Sequence, residues 1–476
     1  MDVTPFLVNG RWITTDSTAP VRNPHTGETI AQVCQADRSH LDDAIAGAER
    51  AFRDSRSMPR HQRATLLTQV AAGLAAHKDE LSRLIATEAG KPLQFAAGEV
   101  DRAISTFTVA AEEAKRLGGE WLPTDWSPAG EGYLAVTKRV PLGPIAAFAP
   151  FNFPLNLVAH KIAPCLASGN TMVLKPPPQA PLTSLRLGRI LLEAGVPPGT
   201  INILPCAVPV AEALVADPRI QFVTFTGSAK VGWHLKTSAG KKGVLLELGG
   251  NAAAIVHVDA DLGWAARRLA LGAFAYAGQI CISVQRILVH EALYDRFVEQ
   301  FLLEVDALPV GDPLDEKTVI GPLIDASAAD RVERWAHEAV AGGAKPLTPI
   351  SRVGNVIAPI VLTHTSPTMA VSCEEVFGPV VTLAPYRSFQ EAIATVNDSR
   401  YGLQAGVFTH DYRKAFEAFE GLDVGGVIIN DYPTFRVDHT PYGGMKDSGL
   451  GREGVKYAMD AMTQIKTVIF KTGLTI

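Results

Sequence analysis

Residues 145–174 read IAAFAPFNFPLNLVAHKIAPCLASGNTMVL. Residues 145–149 form a short apolar run of strand length, and 171–174 form another. Between them, 155–167 reads as a helix, stopped by Ser168-Gly169-Asn170. The unit is strand, helix, strand. It continues with a helix over 182–194 closed by Gly195, a strand over 201–204, a helix over 210–216 and a strand over 222–226. Ser228 then opens a further helix as an N-cap. Strands alternating with helices of this length pair in parallel through right-handed crossovers. Such sheets take ligands at the carboxyl ends of their strands.

Working outward, a second alternation begins shortly after Gly249-Gly250. Residues 252–256 are apolar, 262–277 read as a helix, 287–290 as a strand and 293–305 as a helix. This predicts a second α/β domain. Upstream, Leu66, Leu67, Val70, Leu74, Leu81, Leu84 and Ile85 recur at three- and four-residue steps, so 41–117 reads as helices ended by Gly118-Gly119. The stretch 121–139 carries Pro123, Pro128, Gly130 and Gly132, then alternates over 133–138 as a protruding strand or arm.

The chain has 476 residues, of which 47% are hydrophobic and 20% charged. At about 150 residues per domain, that length predicts about three domains and excludes a disordered tail or a disulfide miniprotein. Its 44 basic and 49 acidic residues give a net charge of −5, with no electrostatic footprint for nucleic acid. No apolar run approaches the roughly 20 residues of a membrane helix. The opening MDVTPFLVNGRW has no basic head before an apolar run, so no signal peptide is expected. The five cysteines (Cys34, Cys165, Cys206, Cys281 and Cys373) are an odd number and widely spaced, which disfavours a zinc site or a disulfide framework and fits a reducing cytoplasm.

Several residues carry chemistry. Cys281, in Gly278-Gln-Ile-Cys-Ile-Ser283, reads either as core packing or as a thiolate nucleophile. Glu247 ends an apolar strand before two glycines, where a carboxylate is costly to bury; it reads as a salt-bridge partner or a general base. Asn152, in Pro150-Phe-Asn-Phe-Pro154, reads as a turn residue or as an amide donor to an oxyanion. Lys175 precedes three prolines and reads as a solvated lysine or a hydrogen-bond donor to ribose hydroxyls. Gly227-Ser-Ala-Lys-Val-Gly232 joins strand to helix and offers free N–H groups to a phosphate.

Together these motifs resemble one family. P-x-N-F-P, K-P, F-T-G-S-x-x-x-G, L-E-L-G-G-N, G-Q-x-C, Glu374-Glu-Val-Phe-Gly-Pro379 and Pro441-Tyr-Gly-Gly-Met-Lys-x-Ser-Gly449 occur in the order and spacing of the aldehyde dehydrogenase superfamily, over about residues 5 to 470. The resemblance implies an α/β fold with a Rossmann-like dinucleotide-binding domain (1–118 and 140–252), an α/β catalytic domain (253–446) and a β oligomerisation arm (119–139 and 447–476). It implies a homodimer or homotetramer using NAD or NADP. Cys281 would be the nucleophile, Asn152 and the Cys281 N–H the oxyanion hole, and Glu247 the base that activates water. Lys175 and Glu375 would hold ribose hydroxyls and Phe377 would pack at the nicotinamide ribose. Pro150, Phe151, Pro177, Pro178, Gly227, Ser228, Gly232 and Leu248 would complete the cofactor site. Pro178 stands where NAD-preferring relatives often carry Glu, so NADP is expected to be tolerated.

Substrate-facing positions by the same resemblance are Arg102, Phe153, His160, Ile280, Ile282, Phe435 and Arg436. Arginine in a tunnel is costly unless it meets an anion; the other reading of each arginine is a salt bridge within the protein. The run from Phe435 to Gly454 looks most like the lactaldehyde, phosphonoacetaldehyde and sulfoacetaldehyde branch. Phosphonoacetaldehyde enzymes have arginines matching Arg102 and Arg436 and one more where this chain has Ile280. The expected reaction is NAD(P)-dependent oxidation of a short anionic aldehyde, with lactaldehyde, glycolaldehyde or succinic semialdehyde as alternatives. A non-catalytic use of the scaffold would predict loss of chemical residues, and all are present. Relatives that pass the acyl group to coenzyme A typically lack the glutamate at position 247.

Overall fold

The computed structural model describes residues 3–472. Five parallel strands lie in the order Gly243–Glu247, Phe222–Thr226, Pro144–Phe148, Thr171–Lys175, Ile201–Ile203. The antiparallel pair Phe6–Val8 and Arg11–Ile13 extends one edge, and Gly449–Leu450 closes the other. The chain winds one way from Pro144–Phe148 and then restarts beside it with Phe222–Thr226. A crevice therefore opens beyond the carboxyl ends of those two strands, the switch point where such sheets take ligands. Fully buried side chains such as Val173, Leu174, Val223 and Leu246 make these strands apolar on both faces, as helices covering both sides require. Four helices, from Arg38–Ser55 to Leu93–Arg116, precede the alternation.

A second sheet has the order Lys345–Pro346, Ile360–Thr363, Val380–Tyr386, Arg286–His290, Ala253–Val256, Gln404–Phe408, Gly426–Ile429, parallel except at its first strand. The long strand Thr463–Lys471 pairs antiparallel with Tyr133–Pro141 along its whole length, and Trp121–Leu122 adds a third strand.

The structure departs from the sequence reading at three places that bear on the site. The helix read over 262–277 ends at Phe274, because Tyr276 and Ala277 adopt φ of 54° and Gly278 φ of 69°. Left-handed backbone at two non-glycine residues is unfavourable, and Tyr276 is anchored there by its hydroxyl donating 3.0 Å to the Ala89 carbonyl. Ser228 occupies the N-cap position of Ala229–Ser238, but its side chain makes no cap hydrogen bond. Of the C-terminal segment read as arm over 447–476, Gly449–Leu450 joins the first sheet and Val455–Ala461 is a helix that buries Val455, Ala458 and Met459; the strand pairing with Tyr133–Pro141 begins at Thr463, and 473–476 lie outside the described residues. Met1 and Asp2 of the first segment also lie outside them. No described helix is long and apolar enough to cross a membrane.

Candidate active site

The left-handed turn at 276–278 throws the following loop back toward the first sheet and delivers Cys281 to the switch-point crevice. There a cleft of about 680 Å³ is lined by Pro150, Phe151 and Asn152 after one strand, Gly227 and Ser228 after the next, Glu247, Leu248 and Gly249 after a third, and Cys281, Glu375 and Phe377 from the other sheet's connections. Two glycines are required by close approach. A Cβ at Gly249 would strike the Glu375 carboxyl, and one at Gly250 the Cys281 carbonyl.

Asn152 is 2% exposed, and its Nδ2 donates 2.9 Å to the carbonyl of Gln279, two residues before the thiol. The Cys281 backbone N–H makes no backbone hydrogen bond among the described residues, so it and the second amide hydrogen of Asn152 remain unspent donors. Burial pushes the Cys281 thiol up to about 11, opposed by a 2.9 Å hydrogen bond with the Tyr442 hydroxyl and by the charge of Arg436. Glu247 is buried with neither carboxyl oxygen partnered. Burial, then the neighbouring Glu453 carboxylate, holds it well above the usual carboxylate range. A buried, unpaired, protonatable carboxyl beside a thiol is the combination a water-activating base needs.

The cofactor cradle has its own unspent groups. Glu375 accepts the Gly250 N–H at 3.0 Å and is pushed by burial to about 7. Ala229–Ser238 presents its N-terminus to the cleft with no side-chain cap, leaving first-turn N–H groups for a phosphate. Gly232 packs against Leu248, where a side chain would collide. Lys175 and Pro178 lie apart from the cleft, around a small hollow with Cys206; Pro177 is buried beside them. Burial lowers the Lys175 ammonium. These residues fit a dinucleotide stretched from the hollow to the cleft.

Three of the expected substrate residues, Arg102, His160 and Arg436, gather around acids that sequence reasoning did not single out. Asp438 accepts from Arg102 at 2.7 and 3.2 Å, from His160 Nε2 at 2.8 Å and from Asn156 at 3.1 Å. Arg436 Nη2 donates 3.1 Å to Glu453, which also meets Lys161 at 3.3 Å. Burial opposes ionisation of Glu453, but Lys161 and Arg436 outweigh it and hold it at about 2. Phe153 lies between Lys91, 3.4 Å from its ring centre, and Arg102 at 5.6 Å. Ile282 is buried against Leu403 and Tyr442, Ile280 lines a small pocket with Glu375 and Phe377, and Phe435 is 47% exposed. The signal for Lys161 was present, a lysine in a mostly apolar helix; nothing local marked Asp438.

Residues 12–468 match the aldehyde dehydrogenase family model. The chain is 43% identical over 465 residues to 3-sulfolactaldehyde dehydrogenase of Priestia aryabhattai, covering 98% of this chain and 97% of that one. It superposes with a TM-score of 0.98 on aldehyde dehydrogenase 21 of Physcomitrella patens in complex with the reaction product succinate, at 44% identity and covering 100% and 99% of the two chains. With NADP-dependent glyceraldehyde-3-phosphate dehydrogenase of Bacillus halodurans, complexed with NADP, the TM-score is 0.97 at 35% identity, over 99% and 100%. The chain belongs to the aldehyde dehydrogenase family. It is an NAD(P)-dependent enzyme that oxidises an aldehyde.

Proposed function

We propose that the substrate is a short aldehyde bearing an anionic group, a sulfonate, carboxylate or phosphonate, and that the product is the free acid. The observation that carries this reading is Arg436. Its side chain is 8% exposed, its Nε has no partner, its hydrogen bond to Glu453 leaves from Nη2, and its guanidinium lies 3.8 Å from the ring centre of Tyr442, the residue touching Cys281. A buried guanidinium with unspent donors one ring from the nucleophile suits an anion carried a few atoms from the aldehyde carbon. The sulfolactaldehyde relative and the succinate-bearing structure favour sulfonate or carboxylate over phosphonate. Asp438 supports a second reading, a neutral hydroxyaldehyde such as lactaldehyde, because it already satisfies Arg102 and His160.

Cys281 adds to the carbonyl as thiolate. The Asn152 amide and the Cys281 N–H hold the oxyanion, each such donor being worth roughly 2.7–4 kcal/mol. A bound NAD(P) supplies a hydride acceptor. Glu247 takes the proton of the water that frees the acid from sulfur. Lys175 and Glu375 are assigned to the ribose hydroxyls, Phe377 to the nicotinamide end, and residues 227–232 to the pyrophosphate. The eight-stranded half (1–118 and 140–252) is read as the dinucleotide-binding domain and 253–446 as the catalytic domain. Strand Thr463–Lys471 with Tyr133–Pro141 is read as the oligomerisation arm of a homodimer or homotetramer. Five free thiols suit a reducing cytoplasm.

The test compares kcat/KM for 3-sulfolactaldehyde, succinic semialdehyde, lactaldehyde and hexanal, each with NAD and NADP, in wild type and Arg436→Gln. Preference for an anionic aldehyde that collapses in the variant is the expected result. A preference for hexanal that the variant leaves intact defeats the reading.

A further inference from the structure

A nucleophilic thiol must become a thiolate, yet Cys281 sits in an apolar pocket with Ile280, Ile282 and Leu403. The ionisable groups facing it are Glu247 from the strand end, Glu375 from the connection before Val380–Tyr386, and Tyr442 and Arg436 from the loop before Gly449–Leu450. The two carboxyls oppose a negative sulfur; Arg436 and Tyr442 favour it. Of these four, the phenol of Tyr442 is the group in hydrogen-bond contact with Sγ, at 2.9 Å.

Tyr442 is not free to drift from that contact. Its N–H donates to the Glu453 carbonyl at 3.0 Å and its carbonyl accepts from the Glu453 N–H at 2.7 Å. The Glu453 carboxylate in turn grips Arg436 and Lys161. Arg436 lies 3.8 Å from the centre of the Tyr442 ring, where a cation attracts the ring face and draws electron density from the phenol oxygen, strengthening its O–H as a donor. Backbone bridge, ion pair and stacked cation thus fix one hydroxyl against one sulfur.

We infer that Tyr442 is a positioning residue for the nucleophile: its hydroxyl donates to the Cys281 thiolate, and Arg436 stacked on its ring strengthens that donation. This rests on Cys281 being the nucleophile, which Cys281→Ser checks separately by loss of turnover. Removing one charge-assisted hydrogen bond from the thiolate corresponds to about a tenfold loss of the reactive form near neutral pH.

The experiment uses the full-length enzyme without cofactor or aldehyde. Iodoacetamide alkylation of the Cys281 peptide is followed by mass spectrometry between pH 6 and 10, in wild type and Tyr442→Phe. The expected result is a rate profile displaced by about one pH unit to higher pH in Tyr442→Phe, with the alkylation rate at pH 7.5 down about tenfold. Site-specific 3-fluorotyrosine at 442, a more acidic phenol with the ring retained, is expected to displace the profile the other way, with faster alkylation at pH 7.5. This second variant keeps the test alive if Tyr442→Phe misfolds. A profile unchanged in a folded variant overturns the inference. If Cys281→Ser keeps full turnover, the reading of the site fails instead, whatever the alkylation profiles show.

Discussion

Arg102 and Asp438, 336 positions apart in sequence, meet as a two-pronged ion pair, Nη2 to Oδ1 at 2.7 Å and Nε to Oδ2 at 3.2 Å. The carboxylate is nearly buried, with 4% of its side chain exposed, and the guanidinium keeps 29%. His160, whose imidazolium burial disfavours, adds a third contact to the same acid. The arginine expected to meet a substrate anion therefore already holds one that belongs to the chain. Asp438 sits well below the usual carboxylate range despite its burial, because these partners favour its charge.

Arg102→Ala strands that carboxylate, and the expected cost is about 2 kcal/mol, between a surface pair and a fully buried one. The urea midpoint of Arg102→Ala should fall, and Arg102→Ala with Asp438→Asn should recover most of the loss. With Asp438→Asn measured alone to close the cycle, a double variant whose loss equals the sum of the two single losses shows that the pair contributes no coupling. If Arg102 also reaches the substrate, KM for succinic semialdehyde rises in the single variant while kcat holds.

Glu247→Gln should stop the enzyme after one turnover. Aldehyde addition and oxidation proceed, the acyl group stays on sulfur, and a burst of about one reduced cofactor per chain precedes a steady state at least about 100-fold slower. The same substitution reports on stability. Burial raises the native carboxyl above its ordinary value of 4.5, so between those values the unfolded chain has lost a proton that the native chain retains. Stability therefore falls as pH rises through that window. Glu247→Gln removes this cost, so its Tm should exceed that of wild type at pH 8 and match it at pH 4. A Tm advantage that is the same at both pH values contradicts the assignment.

What was readable in the sequence follows from what is local. The strands at Pro144–Phe148, Thr171–Lys175 and Phe222–Thr226 are apolar runs with helices between; the residues after the first and third fall in one cleft because parallel strands end together, and Lys175 after the second lines the neighbouring hollow. The strand Phe6–Val8 escaped notice because three residues carry no usable period. The break after Phe274 escaped because Tyr276 and Ala277 are ordinary helix residues, held in left-handed backbone by contacts such as that with Ala89. Asp438, Tyr442 and Glu453 escaped because their roles arise from ion pairs and hydrogen bonds to residues far away in the chain. In a stretch that reads as loop, an aspartate and a tyrosine are unremarkable until the partner is known.

Pro178 offers a handle on cofactor choice. It is exposed on the rim of the hollow it shares with Lys175 and Cys206, and it has neither charge nor N–H. Pro178→Glu places a carboxylate where a 2′-phosphate would approach Lys175. The kcat/KM for NADP should drop at least about tenfold relative to that for NAD, a loss that shrinks at high salt as the charges are screened. An unchanged NADP to NAD ratio separates this hollow from the adenosine ribose.

The strand Thr463–Lys471, proposed as an oligomerisation arm, makes the remaining prediction. Ile465 is 60% exposed and Ile469 62% on one face of the strand, with Val468 and Phe470 about half exposed on the other. Trp121, on the short third strand of the same sheet, is 71% exposed. Apolar area of this extent on a long, regular strand invites pairing with another chain. Burying two isoleucines at a subunit interface contributes roughly 3–6 kcal/mol, at about 1.5–3 kcal/mol each. Ile465→Lys with Ile469→Lys reverses that and adds like charges across a two-fold contact. Sedimentation velocity at micromolar concentration should show the wild type as a dimer or larger and the double variant as a monomer with unchanged far-ultraviolet circular dichroism. A double variant that sediments with the wild type removes the arm from the assembly.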